Sequence, residues 1–141
     1  MKTILENTVS QVTINHHGAE LSSFILKEKE LEFIWQADQE YWGRHAPVLF
    51  PFVGRLKNDE YTYEGETYQM GQHGFARDMD FELESATDST AVFVLKSNAE
   101  TLKNYPFLFQ LKILYSLVEK ELTVGYEVTT ESKEMYFGIG G

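Results

Sequence analysis

An all-β fold, built as an antiparallel β-sandwich, is what this sequence predicts. Apolar residues recur at every second position through most of the chain, turn residues interrupt them at intervals of roughly 8 to 12 positions, and runs at helical spacing are nearly absent. The 8 Tyr, 10 Phe and 2 Trp raise the aromatic share to 14%, and large flat side chains suit pleated faces.

Taken in order, "QVTIN" from Gln11 alternates, "HHGAE" supplies a turn in which Gly18 can take positive φ, and "LSSFIL" resumes the strand pattern, so the three predict a hairpin. "LEFIW", after the charged turn "KEKE", reads as a third strand. "YWGRHAPVLFPFVGRLKND" carries two prolines and two glycines and is too broken to pair in a ladder, which predicts a long ordered loop. "EYTYEGETYQM" sets Glu64 and Gly65 between two Tyr- and Thr-rich arms and predicts a tight hairpin. "MDFELES" and "TAVFVLK" are strands joined by "ATDS", and "NAETLKNYP" is the one helical segment, stopped before Pro106. Phe109, Leu111, Ile113, Tyr115 and Leu117 then share one face, and Leu122, Val124, Tyr126 and Val128 follow after "VEKE". These predict two long antiparallel strands whose apolar face must be covered. No internal repeat, low-complexity tract or linker divides the chain, so one domain or part of one is expected.

The charge narrows the partners. With 22 acidic residues against 12 basic ones, the net charge of −10 repels phosphate backbones and anionic lipid, and no Lys/Arg cluster interrupts it, so neither nucleic acid nor a membrane surface is an expected partner. There is no cysteine, no secretory leader pattern and no apolar run near the roughly 20 residues of a membrane span. A soluble cytoplasmic protein is the expectation.

The chemistry-bearing stretch is "QHGFARDMDFEL", Gln72 to Leu83. A histidine ahead of a strand often does no more than satisfy a turn. Here Gly74 allows close approach of backbone to a ligand, Arg77 can donate two parallel hydrogen bonds to hydroxyls or phosphate oxygens, and the imidazole of His73 is the side chain that exchanges protons near neutral pH. Arg55 closes the long loop, either as a solvated charge or aimed inward from a rigid segment. Trp42, Phe50 and Phe52 can stack on the apolar face of a sugar ring or pack in the core. His16 and His17, with no cysteine or carboxylate at ligand spacing, read as surface residues, and no metal site is expected. No cofactor is implied: "GIGG" lacks the following helix that a dinucleotide fingerprint requires, and no phosphate-binding or Gly-X-Ser-X-Gly motif is present.

The stretch "FPFVGRLKNDEYTYEGETYQMGQHGFARD" resembles the aldose 1-epimerase (galactose mutarotase) family, in its LacX-type branch, and the likeness covers essentially the whole chain. It implies the large antiparallel supersandwich of that family, with a hexose bound in a cleft across one sheet. By that likeness Arg55 is a substrate-binding arginine and His73 is the first active-site histidine. Two departures stand out. Gly54 occupies the place where many mutarotases have Asn, and "YFGIGG" resembles the segment that in the family runs into a second histidine. The resemblance therefore implies that residues 1–141 are the N-terminal part of a single mutarotase-like domain, with the second histidine and a glutamate base carried by a C-terminal half, and that this portion by itself is weak or inactive and prone to self-association.

Three functions remain open at this level. The first is interconversion of the α and β anomers of a free hexose, galactose or glucose, by acid–base ring opening. The second is epimerisation of a hexose 6-phosphate, since "HGFAR" resembles a motif of those enzymes too and Arg77 can hold phosphate, although Arg44 lies near, and not at, the place of their other arginine. The third is a non-catalytic carbohydrate-binding module.

Overall fold

Each long alternating run pairs with its neighbour in the chain, as short connections dictate. The computed structural model describes all 141 residues: β1 (Lys2–Glu6), β2 (Ser10–Asn15), β3 (Glu20–Leu26), β4 (Leu31–Glu32), β5 (Glu60–Tyr63), β6 (Glu66–Gln69), β7 (Glu82–Ala86), β8 (Thr90–Lys96), α1 (Ala99–Asn104), β9 (Phe109–Val118) and β10 (Glu121–Thr130). They form two four-stranded sheets, β1-β2-β3-β4 and β10-β9-β8-β7, and the separate hairpin β5-β6, with every strand pair antiparallel.

Side chains from the two sheets meet in one buried cluster. Leu5, Val12 and Ile14 come from the first sheet, and Phe93, Leu95, Leu111, Ile113 and Leu117 from the second. Burying a side chain of this size contributes roughly 1.5–3 kcal/mol. Tyr115 ties the layers together by donating its hydroxyl to the Ala19 carbonyl at 2.7 Å. Burial, with smaller contributions from Tyr126 and Glu20, pushes that phenol up, so the donor keeps its proton.

The hairpin at Glu64 and Gly65 has both residues at positive φ, 48° and 86°, as a two-residue type I′ turn requires. α1 is the one α-helix, opened by Asn98, whose side chain accepts from the Glu100 and Thr101 amides while Thr101 Oγ1 caps the Asn98 amide in return. β9 and β10 pair along their whole length, Glu121 with Val118 through Thr130 with Phe109.

Three expectations are corrected. The third strand does not run through "LEFIW" but stops at Glu32. Its carboxylate accepts from the Phe24 and Ile34 amides at 2.8 Å each and from Ser23 Oγ, so it replaces the ladder with side-chain bonds. Burial works against that charge, yet the hydrogen bonds outweigh it and hold Glu32 below the usual carboxylate range. A strand that the pattern reading omits, β1, pairs with β2, and its alternation is short: only Thr3 and Leu5 face inward. Finally, the β9 face of Phe109, Leu111, Ile113, Tyr115 and Leu117 needs no cover from outside these residues, because the chain's own first sheet and loop aromatics leave each at 4% exposure or less. The face continues onto edge strand β10, where Leu122, Val124 and Val128 are half-buried and Tyr126 is exposed.

Candidate functional site

The long loop of residues 41–59 is the base on which the site is built. Leu49 pairs with Gly140 in antiparallel fashion, the Gly138 amide donates to the Pro51 carbonyl, and Phe50 forms a parallel bridge with Gly74. The Phe50 carbonyl accepts from both the Phe75 and Ala76 amides, at 3.0 and 3.1 Å. Gly74 is therefore required for a reason different from the expected one. Its φ is +73°, and a Cβ there would run into the Phe50 carbonyl, so the close approach it permits is to neighbouring backbone.

His73 precedes it at φ +68°, a left-handed conformation that costs an L-residue with a side chain roughly 1–2 kcal/mol. Gly54 supplies the compensation. The His73 amide donates to the Gly54 carbonyl at 2.8 Å, and the Gly54 amide donates to His73 Nδ1 at 2.9 Å. Because a backbone N–H can only donate, Nδ1 is the acceptor, and in the neutral ring the proton sits on Nε2. The Gln72 side-chain amide lies 3.2 Å from Nε2 and must present its oxygen there, since both ring nitrogens cannot accept at once. His73 is thus a positioned hydrogen-bond donor.

Arg77 sits in the 3₁₀ turn Ala76–Asp78, with its side chain largely covered. Nη2 donates to the Gln72 carbonyl at 2.8 Å, and Nε lies 3.5 Å from Asp78. Asp78 accepts instead from Arg44 Nη2 at 2.6 Å, and the buried Arg77 Nε is left without a hydrogen-bond partner. His73 and Arg77 line one open pocket of about 490 Å³, together with Trp42, His45, Gln72 and Gly141. That volume is of the size that small-molecule sites have. No Asp or Glu side chain lines it.

The remaining candidates separate. Arg55 follows Gly54 directly but points its fork at Asp59, Nε to Oδ1 at 2.8 Å and Nη2 to Oδ2 at 2.7 Å, and does not line the pocket. That bidentate bond raises the arginine and lowers the aspartate. Of the three stacking candidates, Phe50 is fully buried and Phe52 packs on Tyr61 with centroids 5.0 Å apart, whereas Trp42 is half exposed at the pocket. Tyr61 is pushed up to about 12, by burial first and then by Tyr68, so it holds its proton at neutral pH. His17 is exposed beside Asp80, as a surface histidine should be, while His16 is half-buried, edge-on to Phe93 and 2.9 Å from Thr3 Oγ1. His45 is the pocket residue that motif reading misses; its only signal in the sequence is that it lies in the same irregular loop as Trp42 and Arg55.

The profile of the family described as Aldose 1-epimerase matches residues 1–141. This chain belongs to the aldose 1-epimerase family. Among its relatives within that family, protein LacX of Lactococcus lactis subsp. lactis, in both plasmid and chromosomal forms, is 38% identical over 94% of the chain. A galactose mutarotase related enzyme from Lactobacillus acidophilus is 51% identical over 99% of the chain, with a TM-score of 0.96. A galactose mutarotase-like protein from Lactobacillus casei is 40% identical over 99%, with a TM-score of 0.95. The epimerase-family chain spans about half the length of these relatives: 47% of LacX and 47% and 48% of the two structures. The fold is accordingly galactose mutarotase-like, as the antiparallel sheets and these neighbours agree. No helix of this family member is long and apolar enough to cross a membrane.

Proposed function

We propose that this chain provides the sugar-orienting side of an aldose 1-epimerase that acts on a free hexose in the cytoplasm. The observation that carries the reading is the locked Nε2–H donor of His73, placed with Arg77 and the half-exposed indole of Trp42 around one pocket. In anomer exchange a base takes the proton from the anomeric hydroxyl while an acid protonates the ring oxygen. The C1–O5 bond then breaks, the C1–C2 bond rotates, and reclosure gives the other anomer. His73 is suited to donate to the ring or anomeric oxygen in exchange for its bond to Gln72, Arg77 to hold hydroxyls with its remaining N–H groups, and Trp42 to cover the apolar face of the ring. Arg55 is proposed as a second sugar-binding residue, held at the ready by Asp59. The base belongs, on this reading, to the part of the family's length that this chain does not span.

A free hexose is favoured over a hexose phosphate because Arg44 is paired with Asp78 and does not line the pocket, which leaves Arg77 as the one guanidinium there. The test is polarimetry on freshly dissolved α-hexose, with the chain alone and with the C-terminal half of a relative supplied. The chain alone is expected to be slower than the complemented pair by roughly two to four powers of ten, the usual effect of a missing acid or base. In the pair, His73→Asn should slow mutarotation strongly. A complemented pair with no activity, or an active one indifferent to His73→Asn, would refute the assignment.

A further inference from the structure

His45 lines the same pocket as His73, yet its imidazole is tied down in the opposite sense. Its Nδ1 lies 2.7 Å from the Trp35 carbonyl oxygen, which can only accept, so Nδ1 carries the hydrogen. In the neutral ring Nε2 is then a bare lone pair, and it has no partner in the chain. The backbone on either side is fixed by a separate anchor: the His45 and Ala46 amides both donate to Glu20 Oε1, at 2.9 and 3.1 Å. The ring is therefore aimed rather than loose, and the loop is stitched to β3.

We infer that His45 is a substrate-binding residue whose Nε2 accepts a hydrogen bond from one hydroxyl of the sugar, the complement of the Nε2–H that His73 offers. This deepens the sugar-binding reading above and rests on it. The pairing has a chemical logic. A sugar hydroxyl both donates and accepts, and a pocket that offers only donors, as His73 and Arg77 do, would receive any anion or carbonyl equally well. One fixed acceptor in the neutral ring favours ligands that carry a hydroxyl proton at that place. No Asp or Glu side chain lines the pocket, and His45 Nε2 is the imidazole acceptor available for that task.

The experiment is a set of titrations of the 141-residue chain, followed by chemical-shift changes, with glucose, galactose and their monodeoxy analogues, on wild type and on His45→Phe. Wild type should bind the hexoses, and His45→Phe should weaken them by about 3- to 10-fold, the scale of one hydrogen bond. For one monodeoxy analogue the wild-type affinity should fall by a similar factor and His45→Phe should cost nothing further; that coupling identifies the hydroxyl. Long-range ¹H–¹⁵N spectra of the free protein should show His45 as the Nδ1–H tautomer and His73 as the Nε2–H tautomer, with the His45 Nε2 signal moving on titration. Hexose binding that is intact in His45→Phe, or losses that add with no coupling for every analogue, would overturn the role of His45 while leaving the sugar reading in place. A wild-type chain that binds no hexose would remove both.

Discussion

Gly54 and His73 grip each other through two reciprocal hydrogen bonds, one from the His73 amide to the Gly54 carbonyl and one from the Gly54 amide to His73 Nδ1. The pair turns a strained histidine into a directed donor, and it also accounts for Gly54 itself. The φ of Gly54 is +93°, where glycine and, among other residues, asparagine are best tolerated.

Gly54→Asn is therefore expected to fold, since a Cβ at Gly54 meets nothing within 4 Å, whereas Gly54→Val should lose about 2 kcal/mol or more. Urea unfolding followed by tryptophan fluorescence distinguishes them. Equal stability of the two variants would show that the turn does not depend on positive φ.

Gly74→Ala should be worse than a simple φ penalty, because the added methyl meets the Phe50 carbonyl and the Pro51 nitrogen. A loss above about 2 kcal/mol is expected, together with weaker hexose binding as His73 shifts. A variant as stable as wild type would mean that the loop of residues 41–59 yields freely.

Arg55→Ala tests a residue that the pocket itself does not include. Its ion pair with Asp59 is exposed and screened by solvent, so stability should change little. Hexose affinity should nevertheless fall several-fold if the guanidinium swings from Asp59 to the sugar. Calorimetric titration that shows unaltered binding returns Arg55 to the surface.

His16 sets a pH dependence. Burial, then the N-terminal ammonium, lower it below its ordinary 6.5, with Asp80 opposing. The unfolded chain therefore binds the proton more readily than the folded one. Stability from this group is fully present above pH 6.5 and is lost as the pH falls through the folded value. His16→Gln should flatten that part of the stability–pH curve, and an unchanged slope would assign it to other groups.

The edge at β10 has unpaired backbone on one side and half-buried apolar residues on its inner face. Concentration-dependent association of the 141-residue chain is expected, reduced by Tyr126→Lys, which places a charge on that edge. Light scattering decides it; a monomer at all concentrations would show the edge to be protected.

The sequence by itself determined the local structure: the period-two runs of β2, β8, β9 and β10, the Glu64–Gly65 turn and the capped α1 follow from alternation, positive-φ residues and a side-chain cap, all of which act within a few positions of the chain. It also singled out His73 and Arg77, because "HGFAR" is a dense local motif; that the two line one pocket is a fact of the tertiary structure. What it did not determine depends on contacts between distant segments. β4 stops early because Glu32 turns back onto Phe24, and β9 is covered because the first sheet packs over it. Gly74 is required by Phe50, twenty-four positions away, and His73 is oriented by Gly54, nineteen positions away. His45 had no motif to announce it, since its tautomer is set by a carbonyl ten positions earlier, across an irregular loop. Only the tertiary structure decides such matters, because the direction of a hydrogen bond belongs to the pair of groups that make it and is carried by neither residue alone.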